Sequence, residues 1–300
     1  MELLSMKKYV SLKVWIAIVV IIGSALSVTS EEVDAMVIGD KATWLWDTSI
    51  IIEDQENILL FLENQHVNKV YLQINPDISS DIYKHFISHA AASGIRIYAL
   101  DGAASWVSAE GNQNLNDLFN WVSTYNNDSA ESEQFSGVHL DVEPYLNSGW
   151  SFDQMQTIES YQALLMQARE KANQIQLPLE VDMPFWFDDI HFNNSFGKGL
   201  LAEWVIDQVD SVTIMAYRDK AKDIIAIVKH ELAYAKKVNK SIVVGVETGA
   251  SEEGENITFY ENGEVYMNEQ LSLVQQHYRN NTAFHGMAIH YVENWMNMQP

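Results

Sequence analysis

The chain has 300 residues, with 18 Lys and Arg against 41 Asp and Glu, for a formal charge of -23. Such an acidic chain disfavours nucleic acid and anionic membrane surfaces as partners, because phosphate binding needs Lys and Arg. The lack of any Cys excludes disulfides, Cys-ligated zinc, a Cys nucleophile and a lipid-modified Cys anchor. With 47% hydrophobic residues the chain is globular, and its length suits one large domain.

In chain order, Lys7, Lys8 and Lys13 precede an apolar run from Val14 to Val28, broken by Gly23, Ser24 and Ser27. A basic start followed by a short apolar run marks export. The run is short for a membrane span, which needs ~20 apolar residues. Small residues follow at Ala25, Ser27 and Ser30. Residues 1–30 therefore read as a signal peptide or, if uncleaved, as an N-terminal anchor. The expected location is secreted or extracytoplasmic, and residues 31–300 are expected to form one domain.

From Thr43 onward short apolar strands alternate with amphipathic helices. The expected strands are 43–47, 69–75, 95–101, 135–143, 179–183, 211–217, 241–247 and 285–291. Helices are expected at 54–65, 81–93, 114–125, 151–174, 199–208 and 223–238, with Ser151 capping the longest. Alternating strand and helix argues for a parallel sheet, and eight strands favour a closed (β/α)8 TIM barrel over an open sheet. No Gly-rich phosphate loop follows the first strand, which disfavours a dinucleotide fold. One segment breaks the rhythm: Asn262-Gly263 between Ile257–Tyr260 and Glu264–Met267 predicts a β-hairpin inserted after strand seven.

The fourth strand lies in the stretch Phe135-Ser-Gly-Val-His-Leu-Asp-Val-Glu-Pro-Tyr145. Side chains alternate across a strand, so Val138, Leu140 and Val142 face one way and His139, Asp141 and Glu143 the other. An antiparallel strand with one wet face and a barrel strand both fit this pattern. Pro144 cannot donate to a ladder and ends the strand. Barrel enzymes carry their catalytic groups at such strand ends. Asp141 and Glu143 stand close enough for each to raise the other's proton affinity. One of them can then act as an acid on a glycosidic oxygen.

Other strand-end groups are Asp47, Asn75, Asp101, Asp182, Tyr217, Asp219, Glu247 and either His290 or Glu293. Trp46, Trp106, Trp186 and Trp295 lie at or just past strand ends. Carboxylates with flat aromatic faces suit a neutral polyhydroxylated ligand, so the expected partner is a carbohydrate. No His pair has the His-Glu-x-x-His spacing and no Ser sits in a Gly-x-Ser-x-Gly elbow, so neither a zinc site nor a serine hydrolase is expected. No cofactor is expected.

The stretch Ser136–Glu143 resembles the fourth-strand signature of family-18 glycoside hydrolases, the chitinase-like barrels, which read D-G-x-D-x-D-x-E. Gly137, Asp141 and Glu143 match, while Ser136 and His139 stand where that family has Asp. Met215-Ala-Tyr217 resembles the family's Met-x-Tyr, and Trp295 its substrate-floor Trp. The resemblance implies Glu143 as proton donor, Asp141 as the group that orients an N-acetyl substituent, and Tyr217 as its support. The acetamido oxygen would then be the nucleophile. His139 would pair with Asp141 in place of the family's second Asp. Trp46, Asp47, Asp101, Trp106, His139, Asp182, Trp186, Met215 and Trp295 are expected to line the substrate cleft. A second resemblance, to the large retaining-glycosidase clan, rests on Glu143-Pro144 and Val246-Glu247-Thr-Gly249 and would make Glu247 the nucleophile. The expected function is an exported glycosidase with Glu143 as general acid; the alternative is a glycan-binding barrel that has lost catalysis.

Overall fold

The structure is a computed structural model that describes residues 39–108 and 111–300. The expected export segment, residues 1–30, lies outside the described residues. Among the described residues no helix is long and apolar enough to cross a membrane.

Eight parallel strands close into a barrel. They are β1 (Asp40–Leu45), β2 (Lys69–Gln73), β3 (Arg96–Asp101), β4 (Gly137–Leu140), β5 (Leu179–Pro184), β8 (Ser211–Met215), β9 (Ser241–Glu247) and β10 (Phe284–His290). Sequence neighbours pair around the ring, and β10 pairs with β1 to close it. Helices connect the strands, as the alternating pattern predicts. Between β5 and β8 stands an antiparallel hairpin of β6 (His191–Asn194) and β7 (Gly197–Leu200).

Period-two alternation builds two cores. Val70, Leu72, Val138, Leu140, Val181, Val244 and Ile289 face outward and pack under the helices. Ala42, Trp44, Tyr71, Tyr98, Leu100, Val243 and Ala288 form a separate, smaller cluster inside the ring. Gly137 has no side chain because a Cβ there would collide with the ring of Tyr98. The longest helix, Gln154–Ile175, buries Ile158, Tyr161, Leu165, Ala168 and Ala172, one stripe at helical spacing. Its cap is Asp153, whose side chain accepts from Gln156 N–H. Ser151 instead falls inside a short preceding helix, Ser148–Phe152.

Polar groups fill the rest of the ring. Lys69 Nζ lies 2.5 Å from Asp40 Oδ2 and 2.7 Å from Glu180 Oε1. Arg96 closes on the other oxygen of Asp40 from the rim. Tyr71 Oη lies 3.1 Å from Thr213 Oγ1. Lys69 also sits 4.6 Å from the ring centroid of Tyr98, where the face of the ring attracts a cation.

The hairpin expected after strand seven is not formed. Residues 255–257 make a short 3-10 turn, and Glu264–Tyr278 is a helix. A type I′ hairpin needs positive φ at both central residues, but only Gly263 has it, at 82°, where it leads into the helix. Met267, Leu271, Val274 and Tyr278 bury one helical stripe, so period 3.6 overrode the local Asn-Gly signal. The hairpin that does form turns through Ser195 and Phe196 after β5.

Away from the barrel mouth, Glu231 on the helix Lys229–Val238 is 1% exposed, and neither carboxylate oxygen has a hydrogen-bond partner. Burial, with a contribution from Asp188 and Asp189, pushes its pKa up to about 8 from 4.5. Between those values the folded state holds a proton that the unfolded chain releases, so stability falls as pH rises across the window. Glu231→Gln should therefore raise the melting temperature clearly at pH 8 and hardly at pH 4, as thermal melts would show.

Candidate active site

The C-terminal strand ends converge on one mouth. β4 gives way to Asp141, whose N–H still bonds Asp101 O of β3 at 3.1 Å. Gly102 (φ 155°) lets β3 pass that close, since a Cβ there would run into the Asp141 carbonyl. Pro144 then starts a 3-10 turn, Pro144–Leu146, which swings Tyr145 back over the strand end. The Tyr145 hydroxyl donates to Glu143 Oε1.

Two groups of side chains share the mouth. The first is acidic. Asp182 on β5 accepts from Trp44 Nε1 at 3.0 Å and lies 2.9 Å from His139 Nε2 through the same oxygen, Oδ2. Asp141 Oδ1 is buried with no partner. Burial, then the charges of Asp182 and Glu143, push the Asp141 carboxyl well above its ordinary range, against the pull of His139. Asp141 thus binds its proton more tightly than a free carboxyl does. Burial also pushes Glu143 up; the Tyr145 hydrogen bond opposes the rise and the charge of Asp182 adds to it.

The second group has a fixed proton arrangement. Trp46 Nε1 lies 3.0 Å from His290 Nε2, and His290 Nδ1 lies 2.7 Å from Glu247 Oε2. An indole N–H only donates, so His290 Nε2 accepts and Nδ1 carries the proton given to Glu247. Glu247 Oε1 accepts from Thr248 N–H at 2.8 Å and Gly249 N–H at 2.6 Å. Tyr217 stands between the groups. Its ring centroid is 5.9 Å from that of His290. Burial and the charges of Glu247, Asp182, Asp141 and Glu143 push its hydroxyl pKa up, so it keeps its proton.

Of the residues expected in the cleft, the structure brings Trp46, Asp141, Glu143, Asp182, Tyr217 and Glu247 together. Asp101 is at the β3 end, held by Gln73 Nε2 at 3.2 Å. Met215 is half-buried at the end of β8. Trp186 borders the mouth, its ring edge-on to Tyr145 at 5.0 Å.

Four expectations are corrected. Asp47 is spent on its own turn, accepting from Ser49 N–H and Oγ–H at 2.9 and 2.6 Å. Trp106 is buried in the outer core on the turn Ala104–Val107. Trp295, 1% exposed, lies outside the ring against Phe61 and is bonded to Glu264, so it is no substrate floor. The loose register past β10 hid this, because the helix Val292–Met296 turns the side chain away from the mouth. His139 is 0% exposed and sits below the mouth, paired with Asp182 instead of Asp141. Its partner comes from the adjacent strand, which its own strand's alternation does not reveal.

Tyr145, Trp44 and Glu180 were missed, and His290 was noted only as a strand-end group. The inward phase of β1 and β5 was a usable signal for Trp44 and Glu180. Nothing in the sequence signalled the turn that returns Tyr145. Among the described residues no cluster of three or more His, Asp or Glu is placed to hold a metal ion.

No protein-family model and no curated protein matches the sequence. Solved structures match the fold. A GH18 chitinase from Cycas revoluta in complex with (GlcNAc)3 has a TM-score of 0.52 at 13% identity, over 86% of this chain and 96% of that one. The C-terminal domain of a candidate chitinase from Desulfitobacterium hafniense gives 0.54 at 9% identity, over 86% and 94%. The spore cortex-lytic enzyme SleL of Bacillus megaterium gives 0.50 at 15%, over 86% and 73%. At such identities the likeness is one of fold: the barrel is of the type found in family-18 chitinases.

Proposed function

We propose that this chain is an exported glycoside hydrolase that cleaves glycosidic bonds in a polysaccharide or envelope glycan, with Glu143 as general acid. The observation that carries the reading is the pair at the end of β4. Glu143 has raised proton affinity at the strand end, beside Asp141, whose proton affinity is raised further and whose buried Oδ1 has no protein partner. The chitinase and cortex-lytic barrels that share the fold support a glycan as substrate. The basic and apolar start of the chain supports export.

In this reading Glu143 gives its proton to the leaving glycosidic oxygen as the C–O bond breaks, while Tyr145 holds the carboxyl in place. An N-acetyl group on the substrate would lie between Asp141 and Tyr217, and its oxygen would attack the anomeric carbon. Glu143, now a carboxylate, then takes a proton from the incoming water. Both oxygens of Glu247 are already engaged by Thr248, Gly249 and His290. This supports Glu247 as the anchor of His290 and weighs against Glu247 as a nucleophile ~5–5.5 Å from the acid.

Purified protein should release reducing ends from N-acetylated glycans. Glu143→Gln should cut kcat by ~10²–10⁴-fold, the usual worth of general-acid help, and leave glycan affinity within a few-fold by calorimetry. Glu247→Gln should cost far less; an equal loss would transfer the nucleophile role to Glu247. Binding without hydrolysis that either substitution alters would leave a glycan-binding barrel instead.

The pH profile has a definite sign. The acid works only while protonated, so kcat/KM should fall as pH rises through the raised Glu143 midpoint. Tyr145→Phe removes the bond that favours the carboxylate, so this alkaline limb should move to higher pH. A limb that stays put would remove Tyr145 from the site.

A further inference from the structure

The barrel interior holds a line of ionic groups below the mouth, and His139 stands at its upper end. It faces Asp182 and Glu180 from β5, Tyr71 from β2, Trp44 from β1 and Asp141 on its own strand. Nε2 is 2.9 Å from Asp182 Oδ2, and Nδ1 is 3.8 Å from Glu180 Oε2. The imidazole stacks on Tyr71 with ring centroids 3.7 Å apart, and the Trp44 ring meets it edge-on at 6.3 Å. A neutral imidazole has one acceptor nitrogen, whose lone pair would here stand beside a carboxylate. With a carboxylate beside each nitrogen, both carry hydrogen and the ring is a cation.

We infer that His139 is a positioning residue of the proposed active site: a buried imidazolium that clamps the Asp182 carboxylate beside the Asp141–Glu143 pair. The inference rests on the glycosidase reading only for its catalytic consequence. Asp182 Oδ2 accepts a hydrogen bond from the Trp44 indole and makes an ion-pair contact with His139 Nε2. Neither His139 nitrogen has a hydrogen-bond partner of normal geometry, and Asp182 Oδ1 has none either.

Charge balance fits the geometry. Lys69, Arg96 and His139 are matched by Asp40, Glu180 and Asp182. Burial pulls the His139 pKa down, but Asp182 and Glu180 outweigh it and raise the group to about 9. Burial pushes Glu180 up, and His139 with Lys69 brings it down to about 2. The charge of Asp182 in turn favours the protonated forms of Asp141 and Glu143. Without its cation, so buried a carboxylate takes up a proton itself. Its effect on Glu143 then vanishes.

Carboxyl carbon NMR of Glu143 tests this without any substrate. In His139→Asn the Glu143 titration midpoint should move to lower pH. Asp182→Asn should move it the same way, and the double variant no further than the larger single shift. In wild-type protein the His139 imidazole nitrogens should both remain protonated through pH 8. A neutral His139 at pH 7, or a Glu143 midpoint that is unchanged or raised in either variant, overturns the inference. If His139→Asn does not fold, Asp182→Asn and the wild-type imidazole spectrum still decide it. Where hydrolysis is measurable, His139→Asn should shift the alkaline limb of kcat/KM to lower pH and reduce kcat more than it changes KM; a purely structural role would leave that limb in place. Absence of hydrolysis in the wild type would sink the proposed function while leaving every NMR outcome readable.

Discussion

Each ion inside this barrel must meet an ion of opposite sign, because a lone charge away from water costs several kcal/mol. Asp40 answers both Arg96 and Lys69; Glu180 answers Lys69; Asp182 answers His139. These groups come from β1, β2, β3, β4 and β5. A one-residue slip of β2 would send Val70 into the ring and Lys69 into the helix layer. The ion pairs therefore fix register as firmly as the apolar packing does. Buried pairs add little net stability compared with well-packed apolar residues, but losing one partner costs ~3–5 kcal/mol. What they contribute is a single permitted arrangement.

The balance holds below the mouth and fails at it. Asp141 and Glu143 add two carboxyls that form no ion pair with a Lys or Arg among the described residues, and burial raises the proton affinity of both. The proposed acid role of Glu143 rests on that rise. The same excess of carboxyls, on a chain with a formal charge of -23, selects against an anionic ligand. A neutral sugar can hydrogen-bond to protonated and ionised carboxyls alike.

Much of the barrel was legible because alternation and helix stripes are local. Val138, Leu140 and Val142 declared the outer face of β4, and His139, Asp141 and Glu143 the inner one. What was hidden is what depends on neighbours in space. The Asn262-Gly263 signal is a two-residue preference, and the longer stripe of Met267, Leu271 and Val274 outweighed it. Trp295 follows β10 through a turn whose direction no pattern sets. His139 was readable as inward, but its partner was not, because pairing across strands depends on register between β4 and β5. Tyr145 was lost at Pro144, where the strand rule stops and gives no heading for the next residue.

The partner choice of His139 bears on how the mouth differs from the family-18 pattern that the sequence resembles. An Asp at that position shares a proton with the next Asp in the family pattern. Here the imidazolium turns across the sheet to Asp182, and Asp141 loses its partner below. Asp141 Oδ1 is then not tied to any other group of the protein. On the far side, the chain Trp46–His290–Glu247 fixes every proton by its donor order. Mobile protons are thus confined to the Asp141–Glu143 half, with Tyr217 at the boundary. Asp141 is left with a buried oxygen that no group of the protein engages; in the proposed reaction that is the oxygen free to meet a substituent of the sugar while Glu143 serves the leaving oxygen.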